Sequence, residues 1–544
     1  MNQSTSVIRL NQAGYACGLP VRFAVLSDAP VSLRNGKGEI LPGVSASDFM
    51  DDEASGDRVS VVTTGPLEAG QYELQCGDEK RRFTVSLSPW EEITASLVKG
   101  LYFQRCGCEL KKEHAGCYVH PACHTGLSEL WEERGTFRRV RGGWHDAGDY
   151  GKYTGPGAVT VAHLIYAWKL FPDGCGGGLN IPESGNGIPD ILNEARYELE
   201  WILQMQRSDG AFHHKQTKAR FAGFIMPQDD REQEYLMPVS HCATAAACAC
   251  LALASRVWKT LDPRFSERML SAAENGWQWL EKHPEFAAFQ NPEGVRTGTY
   301  SDQSDTDERF WAACELYAAT GSSRYRLEAE KTASSGLYLV QFGWSNVAGL
   351  GALCCLFDLK EKAGKILYDS LKEEFLRQSL KLLSVSRSSG YGTVLRPDEY
   401  VWGSNLSVLC GAMAMILHSL LTGREDMRDA AILQWQYILG MNAMDVCYVT
   451  GFGENRVMFP HHRPSGADGI DDPVPGLLSG GPNNRYNYPA HRERLGDTPP
   501  AKSFLDETPS ADTNEIAIYW NSPAVFVGAY FNSLAKQQER SSKT

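Results

Sequence analysis

Two aspartates stand three residues apart in a glycine-rich string. Asp146 and Asp149 are separated by Ala147 and Gly148, within the stretch 142–153. Small residues let the backbone turn so that both carboxylates face one point, an arrangement suited to general acid–base chemistry. A bare Asp-x-x-Asp pair also fits a solvated loop. The complete string, with glycine on both flanks, favours a site.

A glutamate near the C-terminus is the second candidate for proton transfer. Glu515 follows Asp506 and Ser510, in a segment that continues into Tyr519 and Trp520. Apolar surroundings raise the pKa of a carboxyl group and therefore favour a proton donor at neutral pH. The alternative is a glutamate that caps the helix after it, and the segment alone leaves both readings open.

A third polar segment carries two histidines and an arginine. His461, His462 and Arg463 follow Pro460 in a loop rich in hydrogen-bond donors. Adjacent histidines usually point in different directions, so we expect at most one to be functional. A plain surface loop is the alternative.

Cysteines and histidines cluster just before the aspartate string. Within 19 residues the chain carries Cys106, Cys108, Cys117, His120, Cys123 and His124, and His145 directly precedes Asp146. Thiolate and imidazole together suit tetrahedral zinc. Reduced thiols with incidental histidines are the alternative.

Three loops are rich in carboxylates and side-chain oxygens, the ligands that calcium prefers. They are 301–308, with Asp302, Asp305, Asp307 and Glu308; 468–472, with Asp468, Asp471 and Asp472; and 183–190, with Glu183, Asn186 and Asp190. A solvated acidic loop or a helix cap is the alternative for each.

The elements that position these residues fall into two predicted domains. Before residue 88 the chain has β-rich runs, at 7–10, 22–26, 59–62 and 82–85, separated by turns at 35–36 and 76–78. Short strands with such turns predict a β-sandwich. The pattern changes at Pro89-Trp90. We therefore predict a sandwich over 1–88 and a second domain over 89–544.

The second domain has helical periodicity throughout. Apolar positions predict helices near 158–170, 191–203, 242–257, 266–282, 310–319, 325–339, 346–357, 366–384, 406–421 and 425–440. About a dozen helices fit a double ring of six inner and six outer helices, given boundary errors of about 2–4 residues. The polar clusters fall in long irregular stretches, at 103–157, 207–238, 285–305 and 441–514. Long loops in compact domains are usually functional, so we expect one loop-built active face.

Composition narrows the classes of protein and partner. The chain has 544 residues, 42% of them hydrophobic and 22% charged, which excludes disorder as its main state. The net charge of −13 disfavours nucleic acid as a partner. We see neither a basic n-region followed by an apolar stretch nor an uninterrupted apolar run of about 18 residues. We therefore expect a cytoplasmic monomer with no membrane partner, whose 15 cysteines are thiols or metal ligands.

The three polar segments together resemble glycoside hydrolase family nine, the cellulase family with an inverting mechanism. The Asp-Ala-Gly-Asp string, the Pro-His-x-Arg segment and the Asp-(eight)-Glu segment occur in the family's order. The stretch 8–15 resembles the start of the immunoglobulin-like module found in one branch. One position departs from the pattern, because Ala511 stands where the family usually has an aromatic residue.

The resemblance implies an (α/α)6 barrel and a role for each residue. Asp149 would be the general base and Asp146 would help hold the water, while Glu515 would be the general acid. His461 and Asp506 would support the site and bind sugar. Further sugar contacts would come from Arg463, Trp402, Trp520 and Tyr150.

The resemblance also implies metals. A structural zinc would be held by Cys106, Cys123, His124 and His145, with His120 or Cys108 as alternatives for one ligand. The stretch with Asp302, Asp305, Asp307 and Glu308 resembles a calcium loop of the family. Ser345 stands where family members often have a further aspartate, which weakens that site. No organic cofactor is expected, because water and proton transfer suffice.

The predicted function is inverting hydrolysis of β-1,4-glucosidic bonds in soluble glucan or cello-oligosaccharides, by an endoglucanase or cellodextrinase. Inversion needs one protonated and one ionised carboxyl group, about 6.5–9.5 Å apart. One alternative is an exo-acting glucosidase or glucosaminidase on short imported oligosaccharides. The other is a carbohydrate-binding protein without catalysis. An epimerase or lyase on the same scaffold has no support from the motifs.

Overall fold

The computed structural model describes residues 5–542, with only the backbone described for residues 539, 541 and 542. The chain divides into two compact units. The first unit comprises Met1–Gly100, Tyr166–Gly177 and Leu380–Thr544, and the second comprises Leu101–Ile165 and Gly178–Ser379. This division groups the N-terminal strands with the C-terminal third of the chain. The predicted domain boundary at residue 88 stays a prediction.

The strands form two sheets in the first unit and one in the second. The first unit contains β1 Ile8–Arg9, β2 Tyr15–Ala16, β3 Pro20–Val25, β4 Val31–Asn35, β5 Ser45–Ala46, β6 Met50–Asp52, β7 Asp57–Pro66, β8 Gly70–Cys76 and β9 Glu79–Ser86. Its sheets have the orders β1-β3-β7-β5, with β6 also paired to β7, and β2-β9-β8-β4. The second unit contains β10 Ser128–Leu130, β11 Phe137–Arg138, β12 Lys152–Tyr153, β13 Lys215–Thr217 and β14 Tyr235–Leu236, in the order β11-β10-β14-β13-β12.

The N-terminal sheets pack through alternating apolar side chains. In β8 the buried residues are Tyr72, Leu74 and Cys76, at every second position. Phe23 of one sheet and Phe83 of the other have ring centroids 5.0 Å apart. A period of two with one buried face is what a two-sheet sandwich requires. The β-rich runs predicted from the sequence are confirmed.

Most of the remaining chain is helical. The helices are α1 Glu91–Phe103, α2 Lys112–Ala115, α3 Thr154–Leu170, α4 Asp190–Gln204, α5 His241–Leu261, α6 Pro263–Lys282, α7 Thr306–Thr320, α8 Ser323–Ala333, α9 Ala348–Leu353, α10 Lys365–Ser388, α11 Ser404–Thr422, α12 Glu425–Ile438, α13 Arg463–Ala467, α14 Pro489–Leu495, α15 Ala511–Asn514 and α16 Ile518–Ser542. Short 3₁₀ turns lie at Pro172–Gly174, Lys360–Ala363, Pro397–Glu399 and Pro500–Lys502, and a π-helical turn at Cys354–Leu359 follows α9.

Every predicted helix is present, and two of them differ from the prediction by more than a few residues at one end or in helix type. Gly321 and Gly423 end α7 and α11 in the left-handed conformation, with φ of 70° and 75°. The helix predicted over 325–339 already ends at Ala333, because Gly336 has a φ of 82° and breaks the pattern. The helix predicted over 346–357 is a short α-helix followed by the π-helical turn.

Two helices in the described residues are long and apolar enough to cross a membrane. They are α5 and α11, and 83% and 67% of their most apolar windows are buried inside the structure. Helix α5 packs against α6 and α7 in the second unit. Helix α11 packs against α12 and α16 in the first unit. Their apolar residues therefore belong to the cores of the two units.

Ion pairs and hydrogen bonds join the N-terminal strands to the C-terminal third within the first unit. They are Arg22–Asp429 at 2.9 Å, Arg81–Asp445 at 3.0 Å, Lys502–Asp57 at 2.6 Å and the Tyr391 hydroxyl to Asp57 at 2.8 Å. The sandwich thus supports the part of the chain that carries Glu515.

Candidate active site

The aspartate string forms a tight turn in the second unit. Gly142 and Gly143 have φ of 84° and 76°, and a Cβ on Gly143 would lie 2.7 Å from the ring of Trp201. The amide of Asp146 donates to the carbonyl of Gly151 at 2.9 Å, which closes the turn. Only glycine satisfies both the conformation and the close packing at residue 143.

The two aspartates of this turn have unequal environments. Asp146 is buried, and its Oδ2 accepts from the hydroxyl of Tyr300. Burial, and then the charge of Asp149, raise the pKa of Asp146 well above its usual value, against the opposing effect of Tyr300. Asp149 Oδ2 accepts from the amide of Gly151 at 2.9 Å. Since two close carboxylates do not both ionise easily, this shift favours the protonated form of Asp146.

One oxygen of Asp146 has no protein partner among the described residues. Its Oδ1 is buried, and no described donor lies within hydrogen-bonding distance. A buried oxygen without a partner is costly, and an ordered water is a common solution. This oxygen is therefore suited to hold a water molecule beside Asp149.

Three side chains around this turn, Tyr300, Trp344 and Lys215, had no predicted role. The ring of Tyr300 lies 4.6 Å from Tyr153 and 4.8 Å from Trp344, between centroids. Burial lowers the pKa of Lys215 to about 7, and the charge of Asp149 opposes this shift. The only signal in the sequence was that Tyr300 and Lys215 lie in long irregular stretches.

The structure brings the four predicted sulfur and nitrogen ligands together. Ligand atoms of Cys106, Cys123, His124 and His145 all lie within 4.8 Å of one another. His124 Nδ1 is 3.7 Å from Cys106 Sγ and 3.4 Å from His145 Nε2. Neither alternative ligand, His120 or Cys108, belongs to this group. The four residues, called here the Cys2His2 group, form a candidate metal centre.

The pKa shifts within the Cys2His2 group point in two directions. The hydrogen bond to Cys106 raises the pKa of the Cys123 thiol, and hydrogen bonding raises that of His124 to about 9 against the effect of burial, so these two lose a proton when a metal ion binds. The other two ligands are shifted toward the forms that bind. The hydrogen bond to Cys123, helped by the charge of Lys152, lowers the pKa of the Cys106 thiol well below its usual value. Burial lowers the pKa of His145 to about 4, so its imidazole is neutral at pH 7. A thiolate and a neutral imidazole are the forms that bind a metal ion.

The four predicted calcium ligands have different partners in the structure. Asp305 pairs with Arg309 at 2.6 Å, and Asp307 Oδ2 accepts from the amide of Val347 at 2.7 Å. Asp302 Oδ2 and Glu308 Oε2 are buried without a partner among the described residues, and both side chains line one small cavity. Burial raises the pKa of Glu308 well above its usual value. Only Asp302 and Glu308 therefore offer oxygens to a cation here.

Several carboxylates of the other two loops have partners within the protein. Glu183 pairs with Arg105 at 3.0 Å, Asp190 Oδ2 accepts from the amide of Leu179 at 2.7 Å, Asp468 Oδ1 accepts from the amide of Ile470 at 2.9 Å, and Asp472 pairs with Arg456 at 3.2 Å. These contacts fit the alternative stated for those loops, that of turns and caps.

Glu515 lies in the first unit, between α15 and α16. It ends α15, and its carbonyl accepts from the amide of Gly480 at 2.8 Å. Its backbone pairs with His461 in an isolated bridge. The side chain is half-buried, and the residues that follow it, 516–520, are all buried. The backbone bridge holds Glu515 beside His461, just before α16 begins. The apolar neighbours expected from the sequence are present.

Asp506 organises the segment around His461. Its two oxygens accept from the amides of Met458 and Phe459, at 2.8 and 2.9 Å, and from the side-chain amide of Asn514 at 2.8 Å. Burial raises the pKa of Asp506, and these hydrogen bonds oppose the shift. Asp506 therefore holds the loop that precedes His461 to the residue that precedes Glu515.

His461 is a neutral imidazole whose Nδ1 is held by a backbone carbonyl. Burial lowers its pKa to about 4, and Nδ1 lies 2.7 Å from the carbonyl oxygen of Thr508. A carbonyl only accepts, so Nδ1 carries the hydrogen and Nε2 is the acceptor nitrogen. This tautomer suits a hydrogen bond from a sugar hydroxyl.

The predicted sugar contacts differ in exposure. Trp402 is 36% exposed, and its ring centroid lies 6.4 Å from that of Tyr488. Arg463 is buried at the start of α13. Trp520 is only 3% exposed and packs beneath Gly403 and Gly480. Its observed role is packing, and its predicted contact with sugar stays a prediction.

Tyr150, the remaining predicted contact, lies beside the Cys2His2 group. Its ring centroid is 5.5 Å from that of His124 and 4.9 Å from that of His145. Its hydroxyl donates to the carbonyl of Ile225 at 2.5 Å. Tyr150 directly follows Asp149, so its ring connects the aspartate turn to the metal-ligand candidates.

Comparison with known proteins defines the class and then the family. A cellodextrinase of Butyrivibrio fibrisolvens is 36% identical over 541 residues, covering 95% of this chain and 98% of the relative. A solved structure of a protein in complex with cellobiose-like isofagomine matches this chain with a TM-score of 0.89 at 34% identity. The match covers 97% of this chain and 100% of the chain in that structure. A Zn-binding triple mutant of the endoglucanase J30 has a TM-score of 0.88 at 30% identity, covering 95% and 99%. These relatives are glycoside hydrolases, and this chain belongs to the same class of enzyme.

The family is glycosyl hydrolase family 9, whose family model matches residues 90–528, so the chain belongs to it. The resemblance found in the sequence is confirmed, and so is the fold class, an (α/α)6 barrel preceded by an immunoglobulin-like β-sandwich. The chain is an enzyme, a glycoside hydrolase.

Proposed function

We propose that this enzyme hydrolyses β-1,4-glucosidic bonds in soluble glucan or cello-oligosaccharides, with inversion at the anomeric carbon. The observation that carries the proposal is the aspartate turn, where burial and the charge of Asp149 raise the pKa of Asp146 and one buried oxygen of Asp146 has no described protein partner. The cellodextrinase relative and the inhibitor-bound structure support the substrate class.

On the water side, Asp149 acts as the general base. A water held by Asp146 Oδ1 and by the carboxylate of Asp149 attacks the anomeric carbon from the face opposite the leaving group. Asp149 takes one proton of this water as the new C–O bond forms. The proton preference of Asp146 keeps Asp149 ionised and therefore basic.

On the leaving-group side, Glu515 acts as the general acid. It gives its proton to the glycosidic oxygen as the bond from that oxygen to the anomeric carbon breaks. One proton is thus taken from water and one is given to the leaving sugar, so the reaction balances without a cofactor. His461 Nε2, Arg463 and Trp402 are proposed sugar contacts.

Zinc is the ion proposed for the Cys2His2 group. Zinc bonds of about 2.3 Å to sulfur and 2.0–2.1 Å to nitrogen give tetrahedral edges of about 3.4–3.8 Å between ligands. The distances of 3.4 and 3.7 Å from His124 Nδ1 fit these edges. With four protein ligands the zinc would supply a cross-link between 106–124 and the residue before Asp146, and no chemistry. Calcium remains a proposal at Asp302 and Glu308.

The reducing interior of the cell is the proposed location. A chain with 15 cysteines that serve as thiols or metal ligands suits a reducing compartment. Short imported oligosaccharides would then be natural substrates. Fractionation of the producing cells checks this location, and recovery outside the cytoplasm would contradict it.

Anomeric NMR and a product ladder test the function. Fresh product from a β-linked oligosaccharide should be the α-anomer, and labelled oligosaccharides should be cut at internal bonds. Glu515→Gln should lose this activity, while Glu493→Gln, an exposed glutamate in the same unit, should keep it. A β-anomeric product would overturn inversion. Release of single sugars from one end only would favour the exo-acting alternative.

A further inference from the structure

The imidazole of His124 has a contact on each of its two nitrogens. Nδ1 faces Cys106 and His145 within the Cys2His2 group. Nε2 lies 3.2 Å from Oδ2 of Asp230, and both side chains are buried. A carboxylate only accepts, so it places the hydrogen on Nε2 and leaves the lone pair of Nδ1 for a metal ion. Asp230 therefore selects the tautomer that can bind the metal.

Asp230 is itself held in place by a buried lysine. The ammonium of Lys218 forms an ion pair with the Asp230 carboxylate and donates to the Asp230 carbonyl at 2.7 Å. Lys218 and Asp230 stand at the two ends of residues 219–229, called here the Phe224 loop. The ion pair therefore closes the loop at its base, and the base rests on His124.

The tip of the Phe224 loop also contacts the surroundings of the Cys2His2 group. The carbonyl of Ile225 accepts from the Tyr150 hydroxyl at 2.5 Å. The Tyr150 ring lies against both histidines of the Cys2His2 group and follows Asp149 directly in the chain. The loop thus has two contacts, one through Asp230 and one through Tyr150, and both lead to the candidate metal centre.

The loop presents apolar side chains to solvent at this position. Phe221, Phe224 and Ile225 are 47%, 39% and 38% exposed. Exposed aromatic rings suit the apolar faces of a sugar chain. Because Tyr150 joins the loop to the turn that carries Asp149, a shift of the loop changes the surface offered to the glucan.

We propose that Asp230 is a positioning residue that couples the Cys2His2 metal centre to the Phe224 loop. Zinc held by His124 fixes Asp230, Asp230 fixes the base of the loop, and the loop in turn contacts the glucan chain. The contact between the loop and the glucan chain rests on the proposed hydrolysis. The coupling itself does not, and it is measured without any turnover.

The first test measures zinc affinity by competition with a chelating dye. Asp230→Ala removes the acceptor for Nε2–H and should weaken zinc binding about 10–100-fold. Asp230→Asn keeps an amide oxygen as acceptor, so its zinc affinity should lie between those of Asp230→Ala and the wild type. The matched control is Asp229→Ala, which removes the neighbouring exposed carboxylate and should bind zinc as the wild type does. Equal affinities for Asp230→Ala and the wild type would overturn the proposal.

The second test uses the wild-type protein, so that a misfolded variant cannot decide the outcome. Hydrogen–deuterium exchange is followed with zinc bound and after chelation. A pocket of about 400 Å³ lies beside Cys123, His124 and Asp230, and it offers a chelator a path toward the centre. Chelation should speed exchange in 219–230 and leave the α6 peptide 263–282 unchanged. Unchanged exchange in 219–230 overturns the coupling.

The third test separates the coupling from the reaction. Asp230→Ala should raise KM for long oligosaccharides several-fold and leave kcat nearly unchanged, because Asp149 is untouched. A fall in kcat without a change in KM would contradict the contact between loop and substrate. If the wild type binds no zinc at all, the whole inference falls and the proposed hydrolysis stands.

Discussion

The two units hold their candidate catalytic carboxylates in different ways. In the second unit Asp146 and Asp149 are themselves buried, and side chains and a like charge set their environment. In the first unit Glu515 stays half-buried, and its neighbour Asp506 binds the backbone amides that shape the segment. Electrostatics therefore dominates around the aspartate turn, whereas backbone geometry dominates around Glu515.

This difference separates the expected effects of substitution. Near the aspartate turn, a change of charge should alter proton affinities while the fold is kept. Near Glu515, the loss of an acceptor should loosen the backbone and lower stability as well as rate. The following substitutions test this contrast, in order of expected effect.

Asp149→Asn should have the largest effect. The amide oxygen still accepts from Gly151, so the turn keeps its shape, but the base is lost and kcat should fall about 10²–10⁴-fold. The same fall is expected on an aryl β-cellobioside with a good leaving group. Glu515→Gln should be partly relieved on that substrate, because a good leaving group needs little protonation. Equal relief for both variants, measured as kcat, would contradict the assignment of base and acid.

Asp506→Ala should reduce stability and rate together. Two backbone amides and the Asn514 side chain lose their acceptor, and one unsatisfied buried polar group costs about 1–3 kcal/mol. The melting temperature should fall, and kcat should fall with it. Asp506→Asn keeps one oxygen and should show a smaller loss in both. A stable but inactive Asp506→Ala protein would instead indicate direct contact with sugar.

The sequence predicted local features well and long-range contacts poorly. Helices such as α5 follow from periodicity within a single stretch, and the turn with Asp146 and Asp149 follows from its glycines. Tyr300 contacts Asp146 from 154 residues away, and Asp230 reaches His124 across 106 residues. No local pattern encodes such pairs, because only the fold brings them together.

Side-chain direction was also beyond the sequence. Trp402 and Trp520 are the same residue type in two segments assigned to the site, yet one is exposed and the other is buried under glycines. Composition and spacing do not distinguish a ring that faces solvent from one that packs beneath a loop. The resemblance to a family supplied the roles, and the structure supplied the surroundings.

Glu198→Gln tests the electrostatic character of the second unit through pH. Glu198 accepts from the Trp144 amide at 2.7 Å, and burial raises its pKa to about 8, with the Trp144 hydrogen bond opposing. The folded state thus holds a proton that the unfolded state loses above about pH 4.3. Stability that is present at lower pH is therefore lost as the pH rises to about 8.

The glutamine variant should lack this loss. Its melting temperature should match that of the wild type near pH 4 and exceed it increasingly up to pH 8. Glu200→Gln, on the exposed side of the same helix α4, is the control and should follow the wild type. Parallel melting curves for Glu198→Gln and the wild type across this range would count against a protonated Glu198.

The smallest effects are expected from the exposed aromatic residues, and these compare the units most directly. Trp402→Ala in the first unit and Phe224→Ala in the second should each cost about 0.5–1.5 kcal/mol in binding, which is roughly 2–10-fold in KM. An aromatic ring contributes to binding only when the oligosaccharide is long enough to reach it. Each variant should therefore raise KM for oligosaccharides above a certain length and leave KM for shorter ones unchanged. Measuring KM along a length series assigns each ring to its distance from the cleaved bond. If chelation of zinc reproduces the length dependence of Phe224→Ala but not that of Trp402→Ala, the metal acts through the second unit alone.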